Sequence, residues 1–295
     1  MVADVIIVSF NTVEHLRRCL SSVVSQPGVG EVVVVDNASE DGSPEMVASD
    51  FPNVTLIKNV TNVGFGRANN QGIAATKSPI VLLLNSDIEA EDGAIQQMLE
   101  TLDQENAVAI GGALVDAGGM IQPSCCTQLT LWAVFCEQTG LEKLFPSSSF
   151  WSPYWITNRL PKDRPSAVAQ VMGACLMMRR GELFDERYFL YCEDTELCIR
   201  LARKGKILYE PRARFKHALG ASTSLERRWW SIALYNRGKE LTFLIHQSRW
   251  AAMVCWVLNR KGAAIRLLLA VLSLNRSRIR TFWRVMTAPI SGPRV

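Results

Sequence analysis

Five short, continuous apolar runs, most of them closed by a polar or acidic residue, constrain this chain most. They cover residues 5–10, 31–36, 54–58, 80–85 and 107–112. A run without polar alternation is the mark of a strand buried on both faces. Between the runs, Val13, Leu16, Leu20 and Val23 fall at helical spacing, and Pro27-Gly28 stops that helix. Asn11 followed by Glu14 reads as a capping box, and Ser43-Pro44 as an N-cap and first helical position. Residues 67–75 and 94–105 give two further helices. Strand alternating with helix predicts an α/β chain with a mostly parallel, doubly wound sheet. From about 120 to 165 the pattern breaks into irregular structure anchored by Trp132, Phe135, Phe145, Phe150, Trp151, Tyr154 and Trp155. Residues 193–204 read as a short helix ended by Gly205, and 207–210 as a strand closed by Pro211. From Leu225 onward the chain reads as helical, basic and aromatic.

Charge divides the chain. Residues 1–210 carry 16 basic and 26 acidic groups, whereas residues 211–295 carry 16 basic and 2 acidic. The acidic part disfavours nucleic acid as a partner, and the basic end calls for an anionic surface. Eight scattered cysteines, with no Cys-x-x-Cys pair, read as free thiols of a reducing cytosol rather than a disulfide framework or zinc ribbon. No secretory leader is read, because Asp4 sits in the first apolar run. The longest uncharged apolar stretch near the C-terminus, 250–258, has nine residues, against the roughly 20 that a membrane span needs.

Ligands of parallel sheets bind at the carboxyl ends of strands. There the chain places Ser9-Phe10-Asn11, Asp36-Asn37-Ala38-Ser39 and Asn85-Ser86-Asp87. An acid at one strand end has two readings, a cap for the next helix or a ligand contact; three successive strand ends favour the ligand. Asp36 suits a nucleoside. Neither Gly-x-Gly-x-x-Gly nor a Walker loop follows the first strand, which disfavours nicotinamide, flavin and P-loop chemistry. The segment from Asn62 through Gly64, Gly66, Arg67 and Asn69 to Asn70 opens a helix whose N-terminus suits an anion, with Arg67 in reach of a phosphate. Its other reading is a Gly-rich turn with a polar helix face.

Asp87, delivered by a buried strand, suits a hard divalent cation, Mg²⁺ or Mn²⁺, bridging a diphosphate. His217, just past a strand, is the second ligand of choice; His15 and His246 sit in helical patterns. Glu193, Asp194 and Glu196 crowd a helix start, where the macrodipole alone favours acids. The functional reading makes Asp194 a general base with Glu193 in support.

Seven segments occur in order: Val8-Ser-Phe-Asn-Thr12, Val34-Val-Asp-Asn-Ala-Ser39, Asn62-x-Gly-Phe-Gly-x-Ala-Asn-Asn70, Leu83-Leu-Asn-Ser-Asp87, Gly173-Ala-Cys-Leu-Met177, the stretch from Phe184 to Arg200, and His217-x-x-Gly-x-Ser222. Over about residues 3–245 this resembles a family 2 inverting glycosyltransferase with the GT-A fold, on the side of bacterial rhamnosyltransferases. The resemblance implies that Asp36 holds the nucleoside, Asp87 is the metal-binding end of the Asp-x-Asp motif, Asp194 is the base and His217 joins the metal. The strand ends and the Gly-rich turn give the expected nucleotide-sugar contacts: Ser9, Phe10, Asn11, Asn62, Gly64, Arg67, Asn69, Asn85 and Ser86. Asn85 stands where the general motif has its first Asp.

The expected organisation is a GT-A domain over 1–245, with a nucleotide-sugar half at 1–115 and an acceptor half at 116–245. A basic amphipathic helical extension follows at 246–295. The expected donor is dTDP-L-rhamnose: an amide at 85 tolerates a deoxyribose lacking its 2′-hydroxyl. The expected acceptor is a lipid-linked saccharide or glycan in cell-wall or surface-polysaccharide synthesis. Galactosyl, mannosyl or N-acetylglucosaminyl transfer, or an inactive nucleotide-sugar-binding protein held at a membrane, are the alternatives. Trp132, Trp151 and Trp155 read either as an acceptor groove or as core. From Leu241 on there are nine basic residues and no acid, interleaved with Trp250, Trp256 and Trp283. This predicts interfacial helices on an anionic membrane surface at the cytoplasmic leaflet, or a packed helix pair with a solvated basic face.

Overall fold

The computed structural model describes residues 1–218 and 228–289. The strands are β1 Ala3–Ser9, β2 Val29–Asp36, β3 Thr55–Lys58, β4 Ile80–Asn85, β5 Ile88–Ala90, β6 Ala109–Val115, β7 Cys125–Cys126, β8 Ser166–Val168, β9 Gln170–Val171, β10 Cys175–Arg179 and β11 Ile207–His217. The helices are α1 Val13–Val23, α2 Ser43–Asp50, α3 Phe65–Ala75, α4 Ala94–Gln104, α5 Leu131–Thr139, α6 Leu141–Leu144, α7 Glu193–Leu201, α8 Arg228–His246, α9 Arg249–Leu272 and α10 Arg276–Thr287. The chain divides into two compact units. One holds Met1–Thr127, Trp155–Phe189 and Glu193–Ser222, and the other Gln128–Tyr154, Leu190–Cys192 and Thr223–Val295.

The first unit is built on a sheet of order β3-β2-β1-β4-β10-β6-β11-β5. β3, β2, β1 and β4 run parallel, as the apolar runs predict, while β10 enters antiparallel between β4 and β6. Val5 and Ile7 pack on one face with Leu16 and Leu20 of α1 and Leu99 of α4. Ile6, between them, packs on the other with Ile73 of α3 and Leu197 of α7. Both faces are covered, so truncating a leucine such as the fully buried Leu82 to Ala is expected to cost roughly 2–5 kcal/mol.

Three local expectations are corrected. Asn11 does not cap α1: the N-cap is Thr12, and the Val13 N–H donates instead to Asp41 Oδ2 at 2.8 Å. The N-cap of α2 is Gly42, with Ser43 inside the helix bonding to Asp41 at 2.6 Å. The last strand does not stop at Pro211. It runs on to His217 through a register shift between Glu210 and Arg214, where a residue without an N–H is tolerated. Glu210, fully buried there, accepts from Thr101 Oγ1 and Arg212.

The second unit is helical. The stretch expected to be irregular holds α5 and α6, and Trp132 packs with Phe135, Phe150 and Trp151 in one aromatic knot. Trp155 belongs to the first unit. α9 packs against α5, α8 and α10. All eight cysteines are buried and unbridged. Among the described residues no helix is long and apolar enough to cross a membrane.

Candidate active site

The register lines up the polar strand ends. Ser9 pairs with Asp36 across β1 and β2, and Val8 with Asn85 across β1 and β4. At about 4.8 Å per strand, Asp36 and Asn85 stand roughly 10 Å apart with Ser9 between. The half-buried Phe10 follows on the same turn. Beyond Asn85 the row continues, because the Asn85 N–H donates to Ala174 O at 3.0 Å.

This row is braced by side chains that bond the loops to one another. Ser9 Oγ lies 3.2 Å from Thr12 Oγ1, which lies 2.8 Å from Ser86 Oγ, a buried hydroxyl chain joining β1 to β4. Asn11, at φ 53°, receives the Glu40 N–H on Oδ1 and donates its own N–H to Ser39 Oγ, at 2.8 and 2.9 Å. The carboxylate of Asp36 accepts the Ser39 N–H at 2.9 Å through Oδ2. Its other oxygen, Oδ1, is buried without a hydrogen-bond partner. Such an oxygen costs stability unless something reaches it, and a ribose or base donor would.

The turn into α3 is shaped by Gly64 at φ 88°, where a side chain would also meet the Phe189 carbonyl oxygen at 2.6 Å. Asn62 Oδ1 accepts the Gly64 N–H at 3.0 Å, and Asn37 Nδ2 donates to Gly64 O at 3.3 Å. Asn69 is buried, donating to Phe65 O at 3.0 Å while its Oδ1 is unpartnered. Arg67 is exposed, its Nε 3.6 Å from Glu186 Oε2.

Asp87 and His217 come together, with Asp87 Oδ1 3.5 Å from His217 Nε2. Gln122 fixes the imidazole. Its Nε2 donates to the His217 carbonyl at 3.0 Å, so its Oε1 is the atom 2.9 Å from Nδ1. An amide oxygen only accepts, so Nδ1 carries a hydrogen. With the ring neutral, Nε2 presents a lone pair to the carboxylate and a cation would bridge the two; with the ring protonated, the two form an ion pair. Two metal–ligand bonds of about 2.1 Å each reach across this gap. Among the described residues no group of three or more His, Cys, Asp or Glu side chains is placed to hold a metal. Gly220 and Ser222, which close the His217 motif, lie outside the described residues.

Asp194 sits at the start of α7. Its Oδ2 accepts the Gly173 N–H at 2.9 Å and its Oδ1 the Thr195 N–H at 2.7 Å. Gly173 adjoins Ala174, the partner of Asn85, so these bonds attach Asp194 to the row of strand ends. Burial raises its carboxyl above the ordinary range despite those bonds. Glu193 is buried with Oε2 unpartnered, and burial, then the Asp194 charge, pushes it up to about 8. The two acids therefore divide: Asp194 is aimed by two backbone donors, and Glu193 holds its proton near neutrality. Glu196 is spent on Arg200 at 2.7 Å. Tyr191 and Cys192, just before α7, both adopt left-handed backbone at φ 71° and 66°, the kind of strain that gathers at functional sites.

Sequence reasoning missed Gln122 and Gly173. Gly173 stands inside one of the ordered segments but carries its role in the backbone; Gln122 lies in a stretch with no periodic signal.

The family model for Glycosyl transferase family 2 matches residues 4–180. An N-acetylglucosaminyl-diphospho-decaprenol L-rhamnosyltransferase of Mycobacterium tuberculosis is 29% identical in a 300-residue alignment covering 95% of this chain and 96% of its own. Succinoglycan biosynthesis protein ExoO of Rhizobium meliloti is 35% identical over 104 residues, 35% of this chain and 30% of its own. Among solved structures, GalNAc-T7 with UDP, GalNAc and Mn²⁺ aligns with a TM-score of 0.58 at 15% identity, covering 97% of this chain and 56% of that longer one. Mannosyltransferase PcManGT from Pyrobaculum calidifontis, with GDP-Man and Mn²⁺, aligns at 0.52 and 16% identity, covering 96% and 83%.

Proposed function

The chain belongs to glycosyl transferase family 2 and has the GT-A fold, and from that premise we propose that it moves L-rhamnose from dTDP-L-rhamnose to a lipid-linked saccharide. The acceptor class follows the Mycobacterium tuberculosis relative, whose name specifies an N-acetylglucosaminyl-diphospho-decaprenol. The enzyme works at the cytoplasmic face of the membrane in the assembly of a cell-wall or surface polysaccharide. Asn85 supports the donor, since an amide does not require a 2′-hydroxyl as its partner.

The observation that carries the reading is the row of strand ends, with a bare Asp36 oxygen at one end and the aimed Asp194 at the other. The nucleoside bonds to Asp36 Oδ1, and the turn from Asn62 to Asn69 lies beside it. Asp87 and His217 hold a divalent cation, Mg²⁺ or Mn²⁺, which when bound offsets the charge growing on the departing diphosphate. Gln122 keeps the His217 Nε2 lone pair toward that ion. Asp194 takes the proton of the acceptor hydroxyl as it attacks the anomeric carbon from the face opposite the diphosphate. Raised basicity suits it to that task. Glu193, protonated and recessed, leaves Asp194 as the charged partner. One displacement inverts the anomeric centre, and no second carboxylate is needed to protonate an already activated leaving group.

A panel of nucleotide-sugars, each with Mg²⁺ or Mn²⁺ and a water-soluble N-acetylglucosaminyl-diphosphate acceptor, tests the reading. Turnover with dTDP-L-rhamnose is expected; turnover with a UDP- or GDP-sugar and none with dTDP-L-rhamnose would refute the donor.

A further inference from the structure

α9 inverts the usual arrangement of a helix on a soluble protein. The buried residues are small or polar: Ala251, Cys255, Asn259, Gly262, Ala263 and Ala270. This is the face that packs on α5, α8 and α10. Large apolar residues line the opposite side. Trp250, Met253, Ile265, Leu268 and Leu272 are between 43% and 72% exposed. They follow a spacing of threes and fours, 250, 253, 257, 261, 265, 268 and 272, completed by Val257 and interrupted only by Lys261. That spacing keeps one stripe on one side of a helix. The helix has 24 residues, a rod of about 36 Å. A helix that packs through one face and carries an apolar stripe on the other needs a second apolar neighbour.

Charge selects that neighbour. Arg249, Lys261, Arg276, Arg278, Arg280 and Arg284 are all exposed, and no acid occurs from Leu241 to the end. Arg260 and Arg266 are occupied inside the unit, on the Val285 and Ala288 carbonyls and on Gln138. A second copy meeting this face with its own α9 would set like charges against each other. We infer that the outer stripe of α9 is a docking face that lies in the plane of an anionic lipid leaflet, with Met253, Ile265, Leu268 and Leu272 among the acyl chains. Trp250 and Trp283, exposed at 65% and 56%, suit the headgroup level. Lys261 reaches past its own alkyl stem to the phosphates. No helix crosses the bilayer in this arrangement.

The inference deepens the proposed use of a lipid-linked acceptor and rests on it for its purpose. Vesicle binding, however, is measured without any sugar, so its failure is separable from failure of the transfer reading. The full-length protein is floated with vesicles of pure phosphatidylcholine and with vesicles carrying phosphatidylglycerol. Flotation with the anionic vesicles is expected, weakening as salt is raised. Leu268→Glu with Leu272→Glu, both on the surface, is expected to lower partition at least about tenfold. Its circular dichroism and its transfer to a water-soluble acceptor stay unchanged. Lys261→Glu is expected to weaken binding less and to flatten the salt dependence. Three results would overturn the assignment: no flotation of the parent, equal partition of parent and double variant, or a vesicle-free dimer that the double variant dissolves. The last would give the stripe to a second copy.

Discussion

The strand-end row and helix α9 leave different kinds of surface unsatisfied. In the row almost every polar group is bonded: Ser9 to Thr12, Asn11 to Glu40, Asp194 to Gly173 and Thr195. What is left over is three buried oxygens, of Asp36, Asn69 and Glu193, and the facing pair of Asp87 and His217. In α9 the inward face is made mostly of small residues and much of the apolar bulk is turned outward. A site that binds a charged, hydroxyl-rich donor is made by saturating its frame and sparing a few atoms. A face that meets lipid is made by withholding apolar cover. The two regions thus differ in what they leave open: a few buried oxygens in the one, an uncovered apolar stripe in the other.

Asp194→Asn breaks the row at its reacting end and has the largest expected effect. Turnover falls roughly 10²–10⁴-fold, the usual contribution of a general base, while donor affinity by calorimetry and vesicle flotation stay at the parent values. Asp87→Ala removes one of the two facing acceptors. Activity is expected to fall about 10²-fold or more and to lose its response to added Mn²⁺; an unchanged metal titration would remove Asp87 from the site. Gln122→Leu frees the His217 ring without touching either acceptor. The metal concentration for half-activity is expected to rise about 10–100-fold, with turnover at saturating metal nearly restored.

Two smaller effects sharpen the frame. Gly238 of α8 packs on the strained turn: a methyl there would meet Tyr191 O at 2.6 Å and Cys192 Cβ at 2.8 Å. Gly238→Ala is expected to lower turnover several-fold with little change in donor KM, because the turn that feeds Asp194 shifts. Glu193 gives a pH signature. Its ordinary value is 4.5 and burial lifts it to about 8. Between those values the folded chain keeps a proton that the unfolded chain has lost, so stability falls as pH rises through that window. Glu193→Gln is expected to flatten that slope in urea titrations run from pH 5 to about 8.

The parallel strands and the acids at their ends were legible because both signals are local. An unbroken apolar run and its final residue are read in one window, and burial on both faces makes each of β1, β2 and β4 such a run. The helix caps were misread because Asp41 reaches back to Val13 across 28 positions and outcompetes the local candidates Asn11 and Ser43. Pro211 was read as a stop because a bulge that absorbs it is set by pairing with β6. Gln122 was invisible because its value lies in meeting a histidine 95 positions away. The basic, aromatic character of the C-terminus was plain, but which residues of α9 face outward depends on how it packs against α5, α8 and α10.

In the proposed reaction one base and one activated leaving group act in a single displacement at the strand-end row. Proton NMR of the product formed from dTDP-L-rhamnose on a soluble N-acetylglucosaminyl-diphosphate acceptor tests it directly. A rhamnoside of inverted anomeric configuration is expected, appearing in step with free dTDP. A product of retained configuration, which would require a covalent sugar intermediate on a second carboxylate, would contradict it.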